Sequence, residues 1–274
     1  MGLMLEMGRG SSLSPAPEQT TSSIFLLPQT LLETVSCHEC SEPMKQVWRL
    51  GDATQKVNTN GVISFLVAVS QYTPAPFPLG DNRRLISPFW GDVDTRKGGT
   101  VLYRESIDPV LLERATKDVR RAFLNHQRFS ASWIFIATWD RVAFFGAEGD
   151  FRNKVNNFQA VLVTNGRHSF AIFNYNQIVW TTGTASGGTE DGLGGTPAQG
   201  GFNAGDGVRF SIIPGSRTND ILNLTFTSNV ARDGQWMFQT DEASVEAGGC
   251  NTKGTNCKHK YSLKKHHGVI GIDL

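Results

Sequence analysis

The sequence predicts an α+β fold, mainly antiparallel β: a sandwich or barrel-like domain of about ten strands, with one amphipathic helix (about 109–125) packed on it. Three observations lead there. Short apolar runs bounded by Gly, Pro, Asn and Asp recur between Asn60 and Glu246. Asn165-Gly166 stands between two of these runs as a hairpin signal. A single stretch, after Asp108-Pro109, carries the helical period.

The elements follow in order. Asn60-Gly61 is a turn, and residues 62–69 (VISFLVAV) form a strand apolar on both faces, as for a strand covered on both sides. Pro74, Pro76 and Pro78 then forbid regular structure. Residues 85–90 and 101–106 are strands on either side of the turn-forming Lys97-Gly98-Gly99. Asp108 can cap free amides and Pro109 loses no hydrogen bond at the first helical position. Leu112, Ala115, Val119, Ala122 and Phe123 form one apolar stripe. Glu113 with Lys117, and Arg114 with Asp118, form i,i+4 pairs on the solvated face. Residues 133–139 (WIFIATW) and 142–145 read as core strands, followed by 158–163 and 170–173 around Asn165-Gly166, which favours positive φ at both positions of a tight turn. Residues 178–182, 199–203, 209–213, 221–227 and 236–239 complete the set.

Three segments are expected. Residues 1–56, mixing Ser, Pro, Gln and Thr without a steady period, read as poorly ordered or atypical. Residues 57–249 form the domain, and 250–274 a short basic tail, read as the truncation of a cysteine-rich continuation. Net charge is −2 for residues 1–59, −1 for 60–246 and +4 beyond 249, so the domain has no concentrated basic face and a nucleic-acid partner is set aside. The sequence contains no run of about 18 apolar residues, so no membrane span is expected. The apolar stretch around Ile24 to Leu32 is interrupted by Pro28-Gln29-Thr30 and preceded only by Arg9, and falls short of a convincing signal peptide.

Several residues invite a chemical reading. Cys37-His-Glu-Cys40 resembles half of a tetrahedral zinc site that Cys250, Cys257 or His259 would complete, but the second half lacks the tight spacing. Cys250 and Cys257 are also disulfide candidates. Residues 183–207 are dense in Gly yet contain neither phosphate-loop pattern, and Thr184 stands where a nucleophile elbow around Ser186 requires Gly. These glycines are expected to serve tight turns and close strand packing. Asp92-Val-Asp94 puts two carboxylates on one side of an extended strand, the start of a calcium site or an acid/base pair. Arg96 and Lys97 rule out an EF-hand loop there. His126 and His168 have no cysteine beside them, so a Ser-His or Cys-His site is poorly supported, and the expectation is of no enzyme. His259, His266 and His267 lie in the Lys-rich tail. Asn223-Leu-Thr225 is a glycosylation sequon, and period two in strand 221–227 would turn Asn223 to solvent.

A set of motifs in fixed order gives a resemblance. Asn60-Gly-Val-Ile-Ser-Phe65, Pro88-Phe-Trp-Gly-Asp-Val93, Asn157-Phe-Gln-Ala-Val-Leu162, Trp180-Thr-Thr-Gly-Thr-Ala-Ser-Gly-Gly188 and Gln199-Gly-Gly-Phe-Asn203 resemble the nidogen-homology (NIDO) domain. The density of matches is highest toward its alpha-tectorin and sushi, nidogen and EGF-like members, over about Val57 to Cys250. The resemblance implies a secreted, matrix-associated glycoprotein acting in cell–matrix adhesion, with extracellular matrix proteins or glycans as partners and no catalytic residue or cofactor. A calcium- or glycan-binding domain using Asp92 and Asp94 is the alternative, and a cryptic hydrolase a third reading.

Overall fold

A computed structural model describes residues 55–65, 68–242 and 244–249, with the backbone of 262–266 and 269–273. Two sheets form a sandwich rather than a closed barrel. One is six-stranded: β4 (Thr100–Ser106), β5 (Trp133–Val142), β6 (Asn156–Thr164), β7 (Ser169–Gln177), β10 (Gln235–Gln239) and β11 (Glu246–Ala247), in spatial order β11-β10-β7-β6-β5-β4. The other runs β1 (Lys56–Asn58), β2 (Val62–Ser64), β3 (Leu85–Trp90), β8 (Gln199–Asn203) and β9 (Phe210–Ile212), continued by β13 (Val269–Asp273) and β12 (Ser262–His266). Among the described residues only β9 with β13 pairs in parallel.

Period two explains the heavy apolar content of the six-stranded sheet. Phe135, Ala137, Trp139, Phe158, Leu162 and Phe173 face the opposite sheet, where they meet Ile63, Ile86, Phe89 and Phe202. Their neighbours Ile134, Ile136, Val161, Val163 and Ile172 face the other way, under helix α1 (Pro109–Ala122) through Ala115, Val119 and Ala122. Both faces of this sheet are therefore dry. The outer face of the second sheet is covered by the Pro-rich segment, where Phe77 and Leu79 pack on Leu85 and Trp90.

The helix starts as its sequence dictates: the Asp108 carboxylate accepts the amides of Val110 and Leu111, both at 3.0 Å, with Pro109 next to the cap. It ends at Ala122, and a short 3-10 turn, Leu124–His126, follows. Glu113 and Lys117 pair at 2.7 Å. Asp118 departs from expectation, being buried under the segment before β10 and drawing Arg121 at 3.5 Å and Arg232 at 3.6 Å, with Arg114 nearby. Burial pushes its carboxyl above the usual range against the pull of these guanidinia.

Four other expectations are corrected. Among the described residues of the run 62–69 only Val62–Ser64 form a strand, and at Val69 Asn58 Oδ1 accepts the amide (2.8 Å) while Asn60 Nδ2 donates to the carbonyl (2.9 Å), taking groups that a ladder would use. Residues 178–182 are not a strand, since the fully buried Asn156 side chain takes their backbone groups: its Oδ1 accepts from Val179 at 2.8 Å and its Nδ2 donates to Trp180 O at 3.0 Å. Residues 221–227 fall mostly in a 3-10 helix, Asn219–Thr225, capped by Thr218 and burying Ile221 and Leu224 three apart. The β6–β7 turn is also not the tight two-residue form. Thr164 pairs with Ser169 and only Gly166 has positive φ (86°), because Asn165 Oδ1 accepts the amides of Arg167 (3.0 Å) and His168 (2.8 Å).

Candidate functional site

Beyond Trp90 the chain bends at Gly91, where the Val93 amide donates to Gly91 O (3.0 Å), and then bridges to the end of β5. Val93 pairs antiparallel with Phe144, Asp94 donates its amide to Ala143 O (2.9 Å), and Phe145 donates to Asp92 O (2.8 Å). This crossing sets Asp92 and Asp94 at one end of the sandwich, on a turned segment with a single bridge at Val93 and not on the extended strand expected from their spacing.

Their carboxylates go to different partners. Asp92 is buried against the 3-10 turn Thr184–Ser186 of the Gly-rich segment, where it accepts from the amides of Ser186 and Ala185 and from the Ser186 hydroxyl. The same hydroxyl lies 2.8 Å from Thr73 Oγ1, so the loop is tied on both sides. Asp92 Oδ2 is buried with no hydrogen-bond partner. Burial pushes the Asp92 carboxyl up to about 6, against the pull of the Ser186 bonds, and the neighbouring Asp94 charge adds to the rise. Gly183 is required beside it, because a Cβ there would lie 2.5 Å from Oδ2 and 2.9 Å from Phe145 O. Gly201 in β8 is the other demanding position: at φ 137° its Cβ would sit 2.0 Å from Ser211 O.

Asp94 is instead gripped by a fork from Arg96, Nε to Oδ1 at 2.8 Å and an Nη to Oδ2 at 2.9 Å, while its Oδ1 also accepts the Arg96 amide at 3.0 Å. The guanidinium holds this carboxyl below the usual range. The two acids are thus near each other, one desolvated and one neutralised. Among the described residues no group of three or more His, Cys, Asp or Glu side chains is placed to hold a metal ion.

Ser186, bound by Thr73 and Asp92, stands at the Val142 end of β5, whereas both histidines stand at its Trp133 end. His126 and His168 meet edge to face with ring centroids 4.7 Å apart, a juxtaposition that no spacing in the sequence announces. His126 Nε2 is 2.9 Å from Gln239 Oε1, and His168 Nδ1 is 3.0 Å from Asp241 Oδ2. Asn223 is exposed, through the three-residue period of its 3-10 helix and not through strand alternation. Cys37, Cys40, Cys250, Cys257, His259 and His267 lie outside the described residues.

Fold and turn together define a helix-backed antiparallel β sandwich with a Gly-rich loop pinned on a buried carboxylate. The chain belongs to the NIDO family, whose nidogen-like domain model matches residues 53–242. It is 51% identical to alpha-tectorin of Mus musculus over 203 residues, and 50% to that of Homo sapiens, covering 73% of this chain and 9% of each relative. Nidogen of Drosophila melanogaster is 31% identical over 246 residues, which is 86% of this chain and 17% of that protein. This chain therefore spans under a fifth of the length of these relatives. No solved structure gives a significant match. No helix among the described residues is long and apolar enough to cross a membrane.

Proposed function

We propose that this chain is a non-enzymatic extracellular matrix module that mediates cell–matrix adhesion through protein or glycan contacts. The observation that carries the reading is the family match over residues 53–242, with half the residues shared with alpha-tectorin over 203 positions. The chemistry at Asp92 supports it: the Ser186 hydroxyl, the neighbouring amides and the carboxylate are engaged in fastening a loop. In an extracellular setting Asn223 is the candidate for a glycan, and Cys250 and Cys257 are the candidates for a disulfide. The test is a pull-down of a matrix fraction by the secreted chain, together with cell attachment to a coated surface. Retention of matrix protein or glycan and concentration-dependent attachment are expected; neither would be seen if the reading is wrong.

A second reading, calcium bound at Asp92 and Asp94, is favoured by the unpartnered Asp92 Oδ2. Calorimetric titration with calcium is its test. Heat of binding and a higher melting temperature support it, and a flat titration with an unchanged melting curve removes it.

A further inference from the structure

The end of the six-stranded sheet remote from Asp92 carries a second constellation. The chain leaving α1 and the β6–β7 turn enclose a recess of about 370 Å³, lined by Asn125, His126, Arg128, Phe129, Arg167 and His168 among others. Its walls are held in place. Asn165 Oδ1, by accepting the amides of Arg167 and His168, fixes the turn that presents both side chains. Arg120 Nε donates to Phe129 O at 2.6 Å, and Gln127 Nε2 donates to Arg120 O at 2.6 Å, which fixes the opposite wall. Phe129 packs edge-on against Phe170 at 4.9 Å as an apolar floor. Gln239 and Asp241 each hold one nitrogen of a histidine, leaving His126 Nδ1 and His168 Nε2 without a partner among the described residues.

Arg83, Arg96, Arg121, Arg152, Arg209 and Arg232 all pair with carboxylates. Arg128 and Arg167 are exposed and have no ion pair among the described residues. The recess gathers two such guanidinia side by side, whereas Arg141, also exposed and without an ion pair among the described residues, stands alone. Asp241, the acid closest to this wall by hydrogen bonding, is turned onto His168. Two guanidinia thus stand open beside two imidazoles, with the side chain of Asn125 and Nδ2 of Asn165 also unengaged among the described residues.

We infer that this recess binds a sulfated saccharide. A guanidinium fork matches the paired oxygens of a sulfate group. Amide side chains suit sugar hydroxyls, and an apolar floor offers dispersion contact to the C–H groups of a pyranose. An acidic peptide would use the two arginines but would leave the amides and the floor without a role. The volume is at the low end of the roughly 300–1,000 Å³ of small-ligand sites, enough for about one or two sugar units. The partner rests on the adhesion reading, of which this is the glycan arm.

The experiment is calorimetric titration of the full chain with a heparin-derived oligosaccharide and with its desulfated counterpart. The sulfated sugar is expected to bind, more weakly as salt rises, and the desulfated sugar to bind at least about tenfold more weakly. Arg128→Ala with Arg167→Ala is expected to lower affinity by about tenfold or more with an unchanged melting temperature. Arg152→Ala with Arg209→Ala, which removes the same charge elsewhere, is expected to leave affinity unchanged. Equal binding of both sugars, undiminished binding by the Arg128/Arg167 variant, or tighter binding of a poly-glutamate peptide each overturn the inference. A chain that retains a matrix fraction but ignores the sulfated sugar overturns the recess alone, whereas one that binds the sugar through these arginines yet supports no attachment overturns the adhesion reading alone.

Discussion

Tyr175 of β7 donates its hydroxyl to the carbonyl of Pro88 in β3 at 2.7 Å, a bond thrown across the dry interior from one sheet to the other. Both residues are buried. Tyr175→Phe leaves that carbonyl without its donor, and a loss of about 1–3 kcal/mol in unfolding free energy is expected from denaturant titration. An unchanged midpoint would show that the two sheets do not need this tie.

Asp92 gives the fold a pH dependence of defined sign. Its folded carboxyl sits at about 6 against an ordinary 3.8, so the folded chain holds the proton more tightly than the unfolded one. The stabilisation is full below about pH 4 and is lost as pH rises through about 6, an effect of roughly 2–3 kcal/mol. Asp92→Asn retains an oxygen for the Ser186 and Ala185 donors and does not titrate. Melting curves from pH 4 to about pH 7 are expected to fall for the parent chain relative to the variant; parallel curves would refute the assignment.

Gly183→Ala drives a methyl group toward Asp92 Oδ2 and Phe145 O. Destabilisation of about 1–3 kcal/mol is expected, the usual cost of forced overpacking. The same change made together with Asp92→Ala should cost less, since the colliding oxygen is gone, and a double-mutant cycle measures the difference.

Expression in secretory cells is expected to yield a product that loses mass on enzymatic deglycosylation, and Asn223→Gln to abolish that loss. Because Asn223 is exposed, the substitution should move stability by no more than about 0.5 kcal/mol. A product in the medium without glycan would remove the sequon from the account.

Much of the sandwich is legible in the sequence because its determinants are local. Residues 133–139 carry no polar face, and the strand they form is covered on both sides. Asp108-Pro109 places the helix start to the residue. Misreadings arise where a side chain takes over the work of the backbone. Asn156 satisfies the groups that would have made 178–182 a strand, and Asn165 bends its own turn out of the tight form that Asn-Gly favours. In 221–227 the alternation of Leu222, Leu224 and Phe226 imitates a strand, while the Thr218 cap and the buried Ile221–Leu224 pair obey a period of three. At the candidate site, the nearness of Asp92 and Asp94 follows from their being two residues apart, but the partners that separate their roles, Ser186 and Arg96, come from a distant loop and from an adjacent turn respectively. The meeting of His126 with His168 depends on where α1 ends above the β6–β7 turn, a distance relation that no local pattern encodes.

The second dry face of the six-stranded sheet makes α1 a guardian of solubility as well as a packing element. Undocked, it would bare Ile134, Ile136, Val161, Val163, Phe170 and Ile172 as one continuous apolar surface. Such a surface on a ladder whose outer strand, β4, has no further strand beside it among the described residues invites another copy to stack upon it during synthesis or secretion. Substitutions beneath the helix, at Ala115 or Val119, therefore bear on yield and self-association before they bear on any ligand.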